Sequence, residues 1–298
     1  MQLSANGVRL EVEVAGPAHG EPLLMIMGLG MQLIGWPEGL VDQLAARGFR
    51  VIRFDNRDIG LSQPFDDLGL PNIVMAALLH TLHLPLAAPY QLADLARDAV
   101  GVLDALGIAR AHVCGASMGG MVAQHLGFSH GERLKSLTLM MTSSGDRRLP
   151  RESLRVRRAL LSQPRPSFTP AEREAAVVEH VAGLYRLIGS PAYPAEAAEL
   201  HERVARAVRR SDRPQAVARQ LVAIAADQHR AARLARIAVP TRIQHGEADA
   251  LIPVAAAHDL AQRIPDAQLE IIPGWGHDLP PPLWPQLADG IAANAARA

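Results

Sequence analysis

Residues 113–120 read Val-Cys-Gly-Ala-Ser-Met-Gly-Gly and place one serine among three glycines, between an apolar run and a helix-forming run. The spacing Gly115-x-Ser117-x-Gly119 fits a tight turn from a strand into a helix, because glycines two positions either side of the serine relieve steric crowding. Such a turn exposes the hydroxyl near the N–H groups of the helix N-terminus, where negative charge is stabilised. The alternative interpretation is a glycine-rich turn in which Ser117 only caps the helix. Partner residues elsewhere in the chain decide between the two.

Strand-like runs and helical patterns alternate around this turn. The runs rich in Val, Ile, Leu and Met cover residues 10–15, 23–27, 50–54, 111–114, 136–141, 241–245 and 268–272, and helical patterns cover 37–46, 92–106 and 118–126. The middle strands are apolar on both alternations, as buried parallel strands are. The sequence therefore predicts the α/β class, with a mostly parallel central sheet flanked by helices on both faces and opened by an antiparallel hairpin of the first two strands.

A helical block interrupts this alternation. Residues 146–236 show helical patterns only, punctuated by prolines, and are predicted to form an inserted helical cap, or lid, on a core domain of residues 1–145 and 237–298. Residues 147–236 hold 18 arginines and 9 acidic residues. We interpret these arginines as a solvated outer face rather than an anion-binding site.

The connection at residues 62–90 is longer than a usual strand-to-helix loop. Within it, residues 73–84 are apolar apart from His80, Thr81 and His83. They predict a short helix that either covers the mouth of the site or packs on the cap. Packing is favoured, because apolar helical stripes are most often core.

Composition bounds the partners and the compartment. The 298 residues are 49% hydrophobic and 20% charged with zero formal net charge, which gives no reason to expect nucleic acid or an anionic membrane surface as partner. No secretory signal and no apolar stretch of membrane-spanning length is apparent, so no stable membrane association is expected. The single cysteine, Cys114, fits a reducing compartment, and the cytoplasm is predicted. A homo-oligomer is compatible with the sequence but is not indicated by it.

A serine nucleophile needs a base, and a neutral histidine is the usual one. Among twelve histidines, His277 fits best, because its segment, Pro-Gly-Trp-Gly-His-Asp at 273–278, follows the last strand and lies at the same sheet edge as Ser117. The other histidines considered are interpreted as structural, since they fall in strands, on or just past the helix after Ser117, or in cap helices: His112, His245, His125, His130, His180, His201 and His229.

The base in turn needs an acceptor that fixes its tautomer. Asp249 follows the preceding strand and reaches the same edge, with Glu247 as nearest rival and Asp146 as the next. Asp249 is favoured because it lies deeper in its loop. The chain order is then Ser117, Asp249, His277, which is the order of α/β-hydrolases.

The oxyanion formed by attack on an ester needs two N–H donors. Met118, directly after the nucleophile, is predicted to supply one. Leu29, in the Gly28-Leu29-Gly30 loop after the strand at 23–27, is predicted to supply the other.

Leu29, Met118 and Trp36 are apolar groups near the site, which suggests Trp36 as a substrate contact and a moderately hydrophobic acyl group. The polar loop 55–62 is interpreted as structural, with Arg57 and its two aspartates holding neighbouring loops.

Over nearly its whole length the sequence resembles the α/β-hydrolase superfamily, and within it the aclacinomycin methylesterases and related bacterial carboxylesterases. The motifs that carry the resemblance are residues 27–30 (Met-Gly-Leu-Gly), 35–37 (Gly-Trp-Pro), 53–62 (Arg-Phe-Asp-Asn-Arg-Asp-Ile-Gly-Leu-Ser) and 115–121 (Gly-Ala-Ser-Met-Gly-Gly-Met). The resemblance implies a triad of Ser117, Asp249 and His277, no metal or organic cofactor, and a helical cap that shapes the substrate pocket. One departure is Met27-Gly28, where many relatives have His-Gly before the oxyanion residue.

The predicted function is hydrolysis of a small-molecule carboxylic ester through an acyl-enzyme. Cofactor-free perhydrolases, lactonases and carbon–carbon bond hydrolases use the same triad, so these reactions stay open as alternatives. A non-enzyme alternative is a receptor-like protein that keeps the fold for ligand binding, and the intact triad argues against it.

Overall fold

A computed structural model describes residues 1–82, 84–162, 164–166 and 169–298. The strands are β1 (Gln2–Ala5), β2 (Val8–Ala15), β3 (Glu21–Ile26), β4 (Phe49–Phe54), β5 (Ala111–Ala116), β6 (Leu134–Met140), β7 (Thr241–Gly246) and β8 (Gln268–Ile272). The α-helices are α1 (Glu38–Ala46), α2 (Ile73–Thr81), α3 (Leu92–Ala105), α4 (Met118–Ser129), α5 (Leu154–Leu161), α6 (Pro170–Ile188), α7 (Ala197–Arg210), α8 (Pro214–Ala226), α9 (Ala255–Arg263) and α10 (Trp284–Ala295).

The strands form one eight-stranded sheet in the order β1-β2-β4-β3-β5-β6-β7-β8. Strands β3 to β8 are parallel to one another, as the sequence predicts. The predicted hairpin is wrong in its partners: β2 pairs antiparallel with β1 and β4, and not with β3. The hairpin partner is β1, which turns into β2 through Asn6 and Gly7, both at positive φ. A four-residue strand has too little periodicity to be recognised from its apolar pattern.

Both faces of the sheet are covered. Along β3, Leu24 and Ile26 pack in one hydrophobic cluster with residues of α3, α4 and α9. Leu23 and Met25 point to the opposite face and pack in a second cluster with residues of α1 and α10. This two-sided burial explains why the middle strands are apolar at successive positions.

The helices α5 to α8 all lie between β6 and β7, within residues 146–236, which we call the helical insertion. Helices α6 and α7 share a small hydrophobic cluster of their own, formed by Val178, Ala182, Leu200, Val204 and Ala205. The insertion is thus helical throughout its described elements, as the proline-punctuated pattern indicates.

The arginines of the insertion do not all form a solvated face. The side chains of Arg219 and Arg230 are almost completely buried, and Arg210 is largely buried. Arg210 pairs with Asp55, and Arg219 pairs with Asp58, both in the polar loop after β4. The inner side of the insertion packs on this acidic loop, a contact that a count of charges along the chain does not reveal.

Helix α2 packs on the insertion, through α8: the ring nitrogen Nδ1 of His80 lies 3.0 Å from the carbonyl oxygen of Ala225. This agrees with the packing interpretation of residues 73–84, although His83 lies outside the described residues. The opposite side of α2 stays exposed at Val74, Met75 and Leu78. None of the helices in the described part of the chain is long and apolar enough to cross a membrane.

Candidate active site

Ser117 occupies the turn between β5 and α4. Its backbone has φ 55° and ψ −121°, a strained conformation for a residue with a side chain. Its side chain makes no hydrogen bond that caps α4, which argues against the simple helix-cap interpretation. The hydroxyl is therefore free to contact other groups.

Glycines make this turn sterically feasible. A Cβ atom added at Gly119 would lie 2.0 Å from the carbonyl oxygen of Ile26, and one at Gly115 would lie 2.3 Å from the carbonyl oxygen of Gly119. Both distances are well inside van der Waals contact. The start of α4 thus packs directly on the end of β3, and only glycine permits that approach.

His277 reaches Ser117 from the loop after β8. Its Nε2 lies 3.0 Å from the Ser117 Oγ, and its Nδ1 lies 2.7 Å from the Asp249 Oδ2. The backbone N–H of His277 donates to the carbonyl oxygen of Ile188 at the end of α6. The ring is mostly buried, whereas Ser117 is half-buried.

Asp249 is fixed by its own loop after β7. Its Oδ1 accepts hydrogen bonds from the N–H groups of Leu251, at 2.9 Å, and Ile252, at 2.8 Å. These bonds leave Oδ2 for His277, so the carboxylate has one defined orientation. The side chain itself is completely buried.

The two rival carboxylates lie in other environments. Glu247 is exposed to solvent. Asp146 forms ion pairs with Arg148 and Arg263, and the hydrogen bond from the Arg148 side chain lowers the pKa of Asp146 far below its usual value. Of the three candidates, Asp249 is the one that the fold brings to His277.

A second histidine, His245 on β7, supports the Asp249 loop. Its Nε2 lies 2.8 Å from the Ile252 carbonyl oxygen and 3.6 Å from the Asp249 Oδ2. Burial lowers the pKa of His245, and this outweighs the opposite effect of the nearby Asp249. The ring is consequently neutral near pH 7 and donates its Nε2–H to the Ile252 carbonyl.

The two predicted oxyanion donors belong to two segments that adjoin Ser117. Met118 is the first residue of α4, where backbone N–H groups have no partner within the helix. Leu29 lies between Gly28 and Gly30 in the loop after β3, and a Cβ added at Gly28 would lie 3.1 Å from the Ser117 Cβ. That loop therefore runs directly beside the serine.

Trp36 does not lie at the surface of the site. Its side chain is completely buried in the cluster beneath α1 and α10, and its indole Nε1 has no hydrogen-bond partner among the described residues. Its carbonyl oxygen accepts a hydrogen bond from Arg53. This burial gives no support to the expected substrate contact at Trp36, because no part of the side chain is exposed to solvent.

The loop at residues 55–62 joins the core to the helical insertion. The interpretation of this loop as structural agrees with its contacts, although the pairing differs in detail. Arg57 pairs with Asp98 on α3 rather than with an aspartate of its own loop. The loop aspartates Asp55 and Asp58 instead pair with Arg210 and Arg219 of the insertion.

Some residues around the site carry no recognisable sequence signal. Gln220 on α8 accepts a hydrogen bond from the Gly30 N–H, and Ser190 after α6 accepts one from the Gly276 N–H and bonds to Asp278. A lone glutamine or serine in a helical segment predicts nothing by itself. In the described residues, no group of three or more His, Cys, Asp or Glu is arranged to hold a metal ion.

Most of the chain matches a known protein family. The family described as having the alpha/beta hydrolase fold matches residues 21–280. The chain belongs to the α/β-hydrolase fold family. This result confirms the fold class that the motifs around Ser117 indicate.

Two curated relatives share the full length of this α/β-hydrolase. Rhodomycin D methylesterase DauP from Streptomyces sp. (strain C5) and rhodomycin D methylesterase DnrP from Streptomyces peucetius are each 30% identical over 312 residues, covering 99% of this chain and 98% of the relative. Both matches confirm the resemblance to methylesterases. Among solved structures, the enol-lactonase from Burkholderia xenovorans LB400 is 23% identical with a TM-score of 0.68, covering 99% of this chain and 98% of that chain, and this likeness concerns the fold.

Proposed function

We propose that this α/β-hydrolase cleaves carboxylic esters by nucleophilic catalysis, with Ser117, His277 and Asp249 as its catalytic triad. The observation that carries the proposal is the continuous hydrogen-bonded chain from Ser117 through His277 to Asp249, with distances of 3.0 Å and 2.7 Å, at a strained strand-to-helix turn. A nucleophile, a base and an orienting acid in this geometry are suited to acyl transfer. The similarity to two methylesterases, which extends over nearly the whole chain, supports the same reaction class.

In the first half of the reaction, Ser117 Oγ attacks the ester carbonyl carbon while His277 Nε2 takes the hydroxyl proton. Asp249 holds the His277 Nδ1–H and stabilises the imidazolium that forms. The carbonyl oxygen becomes negatively charged, and we assign its stabilisation to the N–H groups of Met118 and Leu29. Collapse of this intermediate transfers the proton from His277 to the leaving alcohol and leaves an acyl group on Ser117.

In the second half, His277 takes a proton from water, which attacks the acyl carbon. The same two N–H groups stabilise the second oxyanion. Its collapse breaks the bond to Ser117, returns the proton to Oγ and releases the carboxylic acid. Every proton moves through His277, so this mechanism needs no metal or organic cofactor.

We further propose that residues 146–236 act as a cap on a core of residues 1–145 and 237–298. The support is that the insertion contacts both loops beside Ser117: Ile188 accepts from the His277 N–H, and Gln220 accepts from the Gly30 N–H. A cap in this place would shape the substrate pocket. The proposed partner is a small-molecule ester with a moderately hydrophobic acyl part, and the methylesterase relatives make a methyl ester the first bond type to test.

The test is hydrolysis of p-nitrophenyl esters from acetate to palmitate, and of methyl esters followed by acid release, by the wild type and by Ser117→Ala. We expect turnover that peaks at one chain length and is lost in the variant. No turnover above the Ser117→Ala background would contradict ester hydrolysis. It would favour carbon–carbon hydrolysis, peracid formation or ligand binding on the same fold.

A further inference from the structure

The loop after β3, residues 27–33, is held in place by residues far away in the chain. We call it the β3 loop. At its start, the Asn56 side chain donates to the Met27 carbonyl oxygen, and at its end the Leu33 N–H donates to Asp55. Between these two anchors, the loop contacts the helical insertion. Leu29, the proposed oxyanion donor, lies in this middle part.

Helix α8 makes two contacts with Gly30, the residue after Leu29. The Gly30 N–H donates to the Gln220 Oε1 at 2.9 Å. A Cβ added at Gly30 would lie 2.9 Å from the Val217 side chain, and Gly30 has a positive φ of +67°. Residues 217 and 220 are one helical turn apart and therefore face the same way. One face of α8 thus fixes the backbone immediately after Leu29.

Helix α7 provides a further anchor through Gln32. The Gln32 Nε2 donates to the carbonyl oxygens of Ala207, at 2.7 Å, and Ser211, at 3.0 Å. Arg210 donates to the Gln32 Oε1 at 2.6 Å and also pairs with Asp55. The end of α7 and the face of α8 therefore hold the β3 loop at two separate points.

The NH₂ group of the Gln220 side chain bears on the role of this residue. Within the Gln220 amide, only the oxygen can accept a hydrogen bond from the Gly30 N–H. The orientation of the amide is therefore fixed, and Nε2 points away from Gly30. Gln220 is completely buried, and its Nε2 has no hydrogen-bond partner among the described residues. A buried donor without a partner costs stability. A residue that costs stability and contacts a loop of the site is typical of a functional requirement.

We propose that Gln220 is a positioning residue that holds Gly30 so that the Leu29 N–H points at the developing oxyanion. The inference rests on the proposed function, because it assigns a role in the same reaction. Oxyanion donors are effective when they are already oriented before the reaction, because moving them during the reaction would raise the activation free energy. The helical insertion, through Gln220, then tunes the rate of the chemical step as well as the shape of the pocket.

The experiment compares three equivalent glutamine substitutions. Gln220→Met keeps the side-chain length, removes the bond to Gly30 and removes the unpartnered donor. Gln32→Met loosens the same loop at its second anchor. Gln228→Met is the control, because Gln228 contacts the Leu84 carbonyl oxygen and does not touch the β3 loop. The kcat and KM per titrated active site are measured on the preferred p-nitrophenyl ester, together with the urea midpoint of unfolding.

We expect Gln220→Met to lower kcat about tenfold with KM changed less than about twofold, because a misplaced donor weakens only transition-state binding. The urea midpoint should change little, because the variant removes the unpartnered Gln220 Nε2 but leaves the Gly30 N–H without its acceptor. Inhibition by a trifluoromethyl ketone, whose adduct with serine carries an oxyanion, should weaken by the same factor as kcat/KM falls. If Gln220→Met fails to fold, Gln32→Met should show the same loss in kcat and in inhibitor affinity.

Several results would overturn the proposal. One is a kcat for Gln220→Met equal to that of Gln228→Met. Another is a loss of kcat that disappears once active sites are counted, which would indicate a purely structural role. In both cases the wild type still hydrolyses esters through Ser117 and the proposed function stands. A wild type with no turnover above Ser117→Ala would instead refute the proposed function and this role together.

Discussion

The His277 Nδ1 and the Asp249 Oδ2 lie 2.7 Å apart, and both residues follow the carboxyl ends of adjacent parallel strands. The Asp249 Oδ1 is already occupied by the N–H groups of Leu251 and Ile252. The carboxylate therefore presents a single acceptor to the ring. In the proposed mechanism, this arrangement selects the His277 tautomer whose Nε2 can accept the Ser117 proton.

Asp249→Asn should lower kcat about 10⁴-fold while the fold is retained. The asparagine oxygen can still accept from the Leu251 and Ile252 N–H groups, so its NH₂ group then faces His277 and selects the wrong tautomer. Steady-state kinetics on a p-nitrophenyl ester measure the effect. Glu247→Gln is the matched control, since Glu247 is exposed, and it should stay within about twofold of wild type. Equal losses in both variants would refute the assignment.

Gly119→Ala should destabilise the protein by about 1–3 kcal/mol, because its Cβ would lie 2.0 Å from the Ile26 carbonyl oxygen and must push α4 away from β3. The free energy of unfolding in urea measures the loss. Gly131→Ala is the control, because a Cβ there would meet nothing within 4 Å. We expect that variant to stay within about 0.5 kcal/mol of wild type. A Gly119→Ala protein as stable as the control would show that the turn is looser than described.

Stability should fall as the pH decreases from about 6.5, the ordinary pKa of histidine. Burial lowers the pKa of His245 in the folded state, so below that pH the unfolded chain binds a proton that the folded chain does not. The buried His112, whose pKa is also lowered by burial, contributes in the same direction. Above about pH 6.5 the contribution is fully present.

Unfolding in urea between pH 8 and pH 5 tests this pH dependence. His245→Gln should reduce the slope of unfolding free energy against pH relative to the wild type in the same buffers. An unchanged slope in His245→Gln would mean that its protonation is not linked to folding.

Arg219→Met should cost about 3–5 kcal/mol of stability, because it leaves the buried Asp58 carboxylate without its charged partner. The two side chains share two hydrogen bonds, of 2.6 Å and 2.9 Å, and neither is exposed to solvent. Arg209→Met removes an arginine of α7 that is half exposed and should cost less than about 1 kcal/mol. Similar losses in the two variants, measured by urea unfolding, would contradict a special role for the buried pair.

The sequence could predict Ser117, Asp249 and His277 as neighbours because each follows a strand of a parallel sheet, and the carboxyl ends of such strands meet at one edge. It could not predict the pairing of β2 with β4, since pairing between strands distant in sequence leaves no local pattern. It also could not predict the burial of Trp36, because the cluster around this side chain includes residues of α10, which is far away in the sequence.

The contact of Gln220 with Gly30 was equally unpredictable. It spans 190 residues and depends on which face α8 turns toward the core. Amphipathic patterns define the apolar side of a helix. When one glutamine lies on that side, the pattern does not show whether its side chain makes a specific hydrogen bond. The same holds for the insertion arginines that pair with Asp55 and Asp58.

The most direct test of the central claim is covalent trapping of the nucleophile. A fluorophosphonate would react with an activated serine hydroxyl, with loss of fluoride, and mass spectrometry of the intact chain and its peptides would locate the adduct. We predict one adduct per chain, on Ser117, formed in step with the loss of ester turnover and absent from Ser117→Ala. An adduct at another residue accompanying that loss, or full turnover by Ser117→Ala, would contradict the account.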